Sequence, residues 1–270
     1  MSFTDFHVHT SPGLVPRHHS DAEIGGLLNA AGVASFVLKA HEGSTAERAI
    51  LAGCGAVGSI TLNSPVGGAN PDAVMVAASL GSRVVWLPTV SAQAHQAARD
   101  DAALAVHRGL DFRCVPVCED GRLLDQWHDV LDVVAEHDMV LASGHVTMDE
   151  ALEVFRVARR RGVQRFLVNH PMMPFLGWRK DHVDALVELG AYVEVGVLAD
   201  LLAPDAESPT VHLADNYPSS LIVFGSDLGH RDYPDVEPAM EEWLLAADTA
   251  LGARLVDRIT SKNGEELLIR

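Results

Sequence analysis

Cysteine is scarce in this chain. Cys54, Cys114 and Cys118 are too few, and odd in number, for a disulfide framework, which points to a reducing compartment and so to the cytoplasm. Cys114 and Cys118 have C-x3-C spacing, but no second pair accompanies them and a structural zinc there is not expected. Long apolar runs are missing too: none reaches the roughly 18 residues of a membrane span. Met1-Ser2-Phe3-Thr4-Asp5 carries neither the basic region nor the apolar core of a signal peptide. Positive charge is short, with 20 Lys and Arg against 37 Asp and Glu, a net of −17. So acidic a surface repels nucleic acid and anionic membrane, because phosphate binding needs clustered Lys and Arg. Global charge does not govern one pocket, however. Arg17, Lys39, Arg179 and Arg231 lie in or near the motifs described below, so an anionic small molecule is an allowed substrate.

With 270 residues and no linker, the chain matches one α/β barrel, which takes about 250, and a single domain over 1–270 is expected. Eight apolar strand candidates recur: Thr4 to His9, Val33 to His41, Ala56 to Asn63, Val84 to Val90, Met139 to His145, Arg165 to His170, Ala191 to Leu198 and Leu221 to Asp227. Near-continuous apolar runs suit parallel strands covered on both faces. Between them, Ser20-x-x-Glu23, Ser44-x-x-Glu47 and Thr147-x-x-Glu150 are capping-box patterns, and Gly32, Gly81, Gly162 and Gly190 stand where helices should stop. The alternation predicts a (β/α)8 TIM barrel. One stretch breaks the rhythm after strand four. A helical pattern from Ala94 to Arg108 leads to an apolar run, Phe112 to Cys118, and Glu119-Asp120-Gly121-Arg122 predicts a small β-hairpin insertion near the barrel mouth.

Five of the runs end in metal-capable residues: His7-x-His9, His41, His145, His170 and Asp227. In a parallel barrel the carboxyl ends of the strands converge on one mouth, which is how such a fold builds a metal site. Alternate residues of a strand share a face, so His7 and His9 can point into one site while Val8 packs the other way. Two neutral imidazoles suit zinc and related divalent ions. The plainer reading of each histidine is a buried, hydrogen-bonded core residue; for Asp227 it is a helix N-cap. Shared position at strand ends favours ligands.

Asp5-Phe6-His7-Val8-His9, a His on strand five, a His on strand six and Gly225-Ser226-Asp227 on strand eight resemble the metal set of the amidohydrolase superfamily, from end to end of the chain. That resemblance implies a metal-dependent hydrolase in which one or two divalent ions, mostly zinc with Mn or Ni as alternatives, activate water for attack on an amide, lactone or other ester. It implies His7, His9 and Asp227 as ligands of one metal, and His145 and His170 as ligands of a second or contacts to substrate. Asp227 would take the proton of the attacking water, with His170 the other catalytic candidate. A decarboxylase or hydratase on the same barrel is an alternative. The pattern departs at strand four, Leu87-Pro88-Thr89-Val90-Ser91, which lacks the usual bridging Lys or Glu. Lys39, with His41 beside it, is the nearest substitute: a carbamylated bridge, a contact to a substrate anion, or an exposed lysine. Glu119 is a weaker bridge candidate.

His7-x-His9, a capped helix, His41 and Ser226-Asp227-Leu228-Gly229-His230 also look like the polymerase and histidinol phosphatase family of phosphoesterases. Asn63 and Ala40 stand where that family needs acids. Arg17, Lys39 and His230 are the substrate-binding candidates, Arg17 because a guanidinium fork can hold a carboxylate bidentately. The loop Pro65 to Pro71 reads as a turn with Asn70 as helix cap rather than an anion cradle, and Trp178 could wall the pocket. The expected partner is a small molecule, not nucleic acid or membrane, and a homo-oligomer is left open.

Overall fold

A computed structural model describes residues 3–203 and 208–269. Its strands are β1 (Phe3–Val8), β2 (Val33–Leu38), β3 (Ala56–Val57), β4 (Ser59–Thr61), β5 (Val84–Trp86), β6 (Cys118–Glu119), β7 (Arg122–Leu123), β8 (Val140–Ala142), β9 (Arg165–Val168), β10 (Tyr192–Val195) and β11 (Ile222–Phe224). Parallel ladders run β1-β2-β3 and β11-β10-β9-β8-β5-β4. The third run, expected from Ala56 to Asn63, is broken at Gly58, so β3 pairs with β2 and β4 with β5. A Cβ at Gly58 would lie 2.9 Å from Ala46 Cα, which is why the chain crosses between ladders there. At the other seam Asp227 N donates to His7 O at 2.8 Å and His9 N to Leu228 O at 2.9 Å. Asp5 stitches the same seam, its Oδ1 accepting from His7 N and Ser226 N, both at 2.9 Å. The architecture is the expected (β/α)8 TIM barrel.

Strand alternation divides the apolar residues. Val37, Val84, Trp86, Val140, Ala142, Leu167 and Val223 form an inner cluster with Phe6, and Leu267 and Leu268 join it. Val8, Phe36, Leu38, Val85, Leu141, Phe166, Val193 and Phe224 pack outward against the helices. At about 1.5–3 kcal/mol per buried aliphatic side chain, this two-sided burial is the main stabilising contribution. The same alternation decides the site: Lys39 and His41 continue the inward face of Val37, and Glu194 that of Tyr192.

Ser20 and Thr147 close capping boxes with Glu23 and Glu150 on helices Asp21–Ala30 and Met148–Arg160. Ser44 does not. Thr45 is the N-cap of Ala46–Ala52, and its hydroxyl donates to Leu38 O. Gly32, Gly81, Gly162 and Gly190 all have positive φ after their helices, and Asn70 caps Pro71–Ser79. The β6–β7 hairpin forms around Asp120 and Gly121. It packs on the far half of Met148–Arg160, beside Glu153, Val157 and Arg160, rather than at the mouth. The helical half of the insertion, Gln93–Ala97 and Ala102–His107, reaches the mouth instead. No helix among the described residues is long and apolar enough to cross a membrane.

Candidate active site

His7 and His9 leave β1 on one face and meet Asp227, which follows β11. His7 Nε2 is 3.0 Å and His9 Nε2 3.2 Å from Asp227 Oδ1. The opposite ring nitrogen of each has an acceptor as its nearer partner, which sets the tautomer, although Arg17 Nη2 also lies 3.4 Å from His9 Nδ1. His7 Nδ1 donates to Glu194 Oε1 at 3.1 Å and His9 Nδ1 to the Lys39 carbonyl at 3.0 Å. Burial, then Arg17, holds His9 well below the usual imidazole range, so it is neutral. Its Nε2 lone pair therefore faces a carboxylate oxygen with no proton between them, which is the arrangement of a cation site. For His7, burial opposes the cation and Asp227 outweighs it, so its pKa is raised. Burial would also raise Asp227, but His7 overrides it and holds the carboxyl well below its ordinary value.

His7, His170 and Asp227 form a set whose ligand atoms lie within 4.8 Å of one another. Asp227 and His170 both have positive φ, 53° and 31°, a conformation that strains non-glycine residues and gathers at functional sites. Asn169 Nδ2 donates to His170 Nε2 at 2.9 Å, so the proton sits on Nδ1, which is buried without a partner among the described residues. His41 is similar. Thr89 Oγ1 accepts from Asn63 and donates to His41 Nδ1 at 2.9 Å, leaving His41 Nε2 buried and unpartnered. Asn63 is thus occupied in holding Thr89 and the His41 carbonyl, not placed as a ligand.

Lys39 is 1% exposed, which overturns the exposed-lysine reading. Its Nζ donates to His7 Nε2 at 2.8 Å and lies 4.5 Å from the Trp86 ring, and burial lowers its pKa to about 8. Arg17 is 7% exposed, with Nη2 3.4 Å from His9 Nδ1; no carboxylate among the described residues lies within 4.0 Å of its guanidinium. The loop carrying it is zipped to the loop after β11 by His18 N to Gly229 O and Arg231 Nε to Arg17 O. His230 and Tyr233 come from that second loop and line the same pocket.

The pocket thus gathers the sequence candidates His9, Arg17, Lys39, His41, His145, His170, Asp227 and His230, with His7 beneath them. Other candidates fall elsewhere. Glu119 is exposed on the hairpin, Arg179 is exposed and paired with Asp181, and Trp178 packs edge-on to His212. Three residues went unread in the sequence. Glu194 carried a signal, a lone acid inside an apolar strand, where burial demands a partner. His95 and His107, on the insertion, had none. His95 Nδ1 lies 2.7 Å from His145 Nδ1, and burial first lowers the pKa values of both, His95 to about 4.

No curated protein matches the chain. Solved structures do match. 2,6-Dihydroxybenzoate decarboxylase from Rhizobium aligns at TM-score 0.63 and 12% identity over 99% of this chain and 98% of that one. An amidohydrolase from Pseudomonas aeruginosa aligns at 0.63 and 11%, over 99% and 95%. A probable 2-pyrone-4,6-dicarboxylic acid hydrolase from Acinetobacter baumannii, with citric acid bound, aligns at 0.60 and 11%, over 99% of each chain. The likeness is one of fold, that of amidohydrolase-superfamily barrel enzymes. A family model described as "Family of unknown function (DUF6282)" matches residues 2–194, and the chain belongs to that family.

Proposed function

We propose that this protein is a metal-dependent hydrolase of a small anionic substrate, cleaving an amide, lactone or other ester bond. The observation that carries the reading is the convergence of His7 Nε2 and His9 Nε2 on one Asp227 oxygen, with both rings oriented from behind by Glu194 and the Lys39 carbonyl. Those donors fit a divalent cation: two imidazoles, which a bound cation would hold neutral, and a carboxylate suit zinc best, with Mn or Ni also accommodated. When bound, such an ion lowers the pKa of a water and polarises a substrate oxygen. The chain's own groups do the rest. Asp227 is ionised throughout the neutral range and accepts the proton of the attacking water. His170 Nδ1–H and His41 Nε2–H, buried without partners among the described residues, donate to the oxygens that gain charge. His145 extends this neutral histidine wall. Arg17 and Lys39 hold the substrate's anionic group, with His230 beside Arg17.

Decarboxylation is the second reading, favoured by the absence of a carboxylate or lysine at the end of β5, since a site without a bridging ligand suits a single ion. The phosphoesterase reading loses support because Asn63 is committed to Thr89 and His41. The deciding experiment measures metal per chain in the purified protein. It then follows acid release and CO2 release separately over a panel of carboxylate-bearing lactones, amides and aryl acids, in wild type and Asp227→Asn. Metal-dependent acid release that the variant loses is expected. Failure of metal-free protein to take up Zn, Mn or Ni at micromolar concentration sinks the proposal.

A further inference from the structure

Beside the polar pocket, on the other side of His170, lies a second chamber that the chemistry above does not use. It is walled by Met172, Met173, Pro174, Ala199, Leu202 and Leu213. The two chambers share His170, Met173 and Leu202, so they adjoin. Their sizes differ in a way that matters. The polar chamber has a volume of about 30 Å³, room for a functional group and little more, whereas the apolar one measures about 120 Å³. That is somewhat smaller than the roughly 150 Å³ apolar cavity that holds benzene.

Charge orients whatever spans the two. Arg17 is a buried guanidinium with no carboxylate within 4.0 Å among the described residues, fixed in place by the paired loops. Glu42 and Asp227 favour its charge from longer range, which leaves the guanidinium fork free to pair directly with a substrate anion. Glu194 stands at the wall of the apolar chamber, its carboxylate already turned to His7, and repels a second anion at that end. We infer that the substrate is a monoanionic amphiphile, with its carboxylate at Arg17 and a neutral branched alkyl limb of about four or five carbons in the Met172–Leu213 chamber. The bond that reacts then lies between the two, beside Asp227 and His170. This rests on the hydrolase reading for the reaction, but not for the binding.

The test uses binding to the metal-free protein by calorimetry, with three probes: acetate, 4-methylpentanoate and neutral 4-methylpentan-1-ol. At about fourfold per buried methylene, 4-methylpentanoate should bind on the order of 100-fold tighter than acetate. Arg17→Gln should reduce it to the level of the alcohol. Ala199→Phe, which fills the chamber, should reduce it to the level of acetate while acetate binding is kept. Ala199→Leu should fall between; retained acetate binding shows that each Ala199 variant is folded, and circular dichroism shows it for Arg17→Gln. Equal affinity for acetate and 4-methylpentanoate, or a loss in Ala199→Phe that falls equally on both, overturns the inference. Because no metal or turnover is involved, failure of the hydrolase reading leaves these affinities unchanged, and failure here leaves metal stoichiometry unchanged.

Discussion

Removing Glu194 tests whether the cation site is built from behind. Glu194 touches no solvent-facing part of the pocket's polar mouth; it acts through His7, 3.1 Å away, and the pair is 0% and 2% exposed. Partners of this kind typically contribute 10- to 100-fold in metal affinity, or about 1.4–2.7 kcal/mol. Glu194→Ala removes the acceptor altogether and belongs at the upper end, with an unpaired His7 Nδ1–H costing about 1–3 kcal/mol. Glu194→Gln keeps one acceptor oxygen and belongs near the lower end. Gly225→Ala is an independent way to the same result, because a Cβ there would meet the Glu194 carboxyl at 2.8 Å and push it from His7. The assay is zinc affinity by competition with a chromophoric chelator, with a melting curve to confirm folding. Wild-type affinity in both Glu194→Ala and Gly225→Ala would refute the reasoning. An equal loss in Glu194→Gln and Glu194→Ala would show that charge, not orientation, is what Glu194 supplies.

Three further outcomes are expected. His7→Ala combined with His9→Ala should abolish metal binding while the circular dichroism of the barrel persists, because two-sided apolar burial supplies the stability; full metal occupancy in that protein refutes the ligand assignment. Asp227→Asn should lower turnover by about 10²–10⁴ and abolish or shift the acidic limb of the rate profile; a wild-type profile would move the base to another group. Lys39 has a pKa of about 8 against an ordinary 10.5, so between those values the unfolded chain holds a proton that the native state has lost. Urea stability of the metal-free protein should therefore rise with pH from about 8 to about 10.5 and show no Lys39 contribution below. Lys39→Met should remove that slope, and an unchanged slope counts against it.

Much of this was legible along the chain. The apolar runs marked the strands because a parallel strand buried on both faces has no polar side to show, and strand period alone put His7 and His9 on one face with Val8 behind them. The glycine stops were readable because left-handed φ is cheap there. Ser44 misled because the helix starts one residue later, at an N-cap Thr45 whose hydroxyl turns back to the Leu38 carbonyl at the end of β2, a tertiary contact that sequence spacing does not encode. The hairpin was read correctly from Asp120-Gly121, but its place was not, since local turn chemistry says nothing about which helix a ribbon packs against.

The sequence by itself determined the barrel and the residues that its strand ends offer, His7, His9, Lys39, His41, His145, His170 and Asp227, because strand period and strand direction are local properties. Tertiary structure alone decided what those residues become. It buried Lys39 against His7, set Glu194 behind the same ring from 187 positions away, and carried His95 and His107 in from an insertion. It also buried Arg17 in the polar pocket with no carboxylate among the described residues within 4.0 Å of its guanidinium. Tautomer, charge state and free donors depend on which groups meet in space, and closing the ring of strands brings together residues that nothing in their spacing relates.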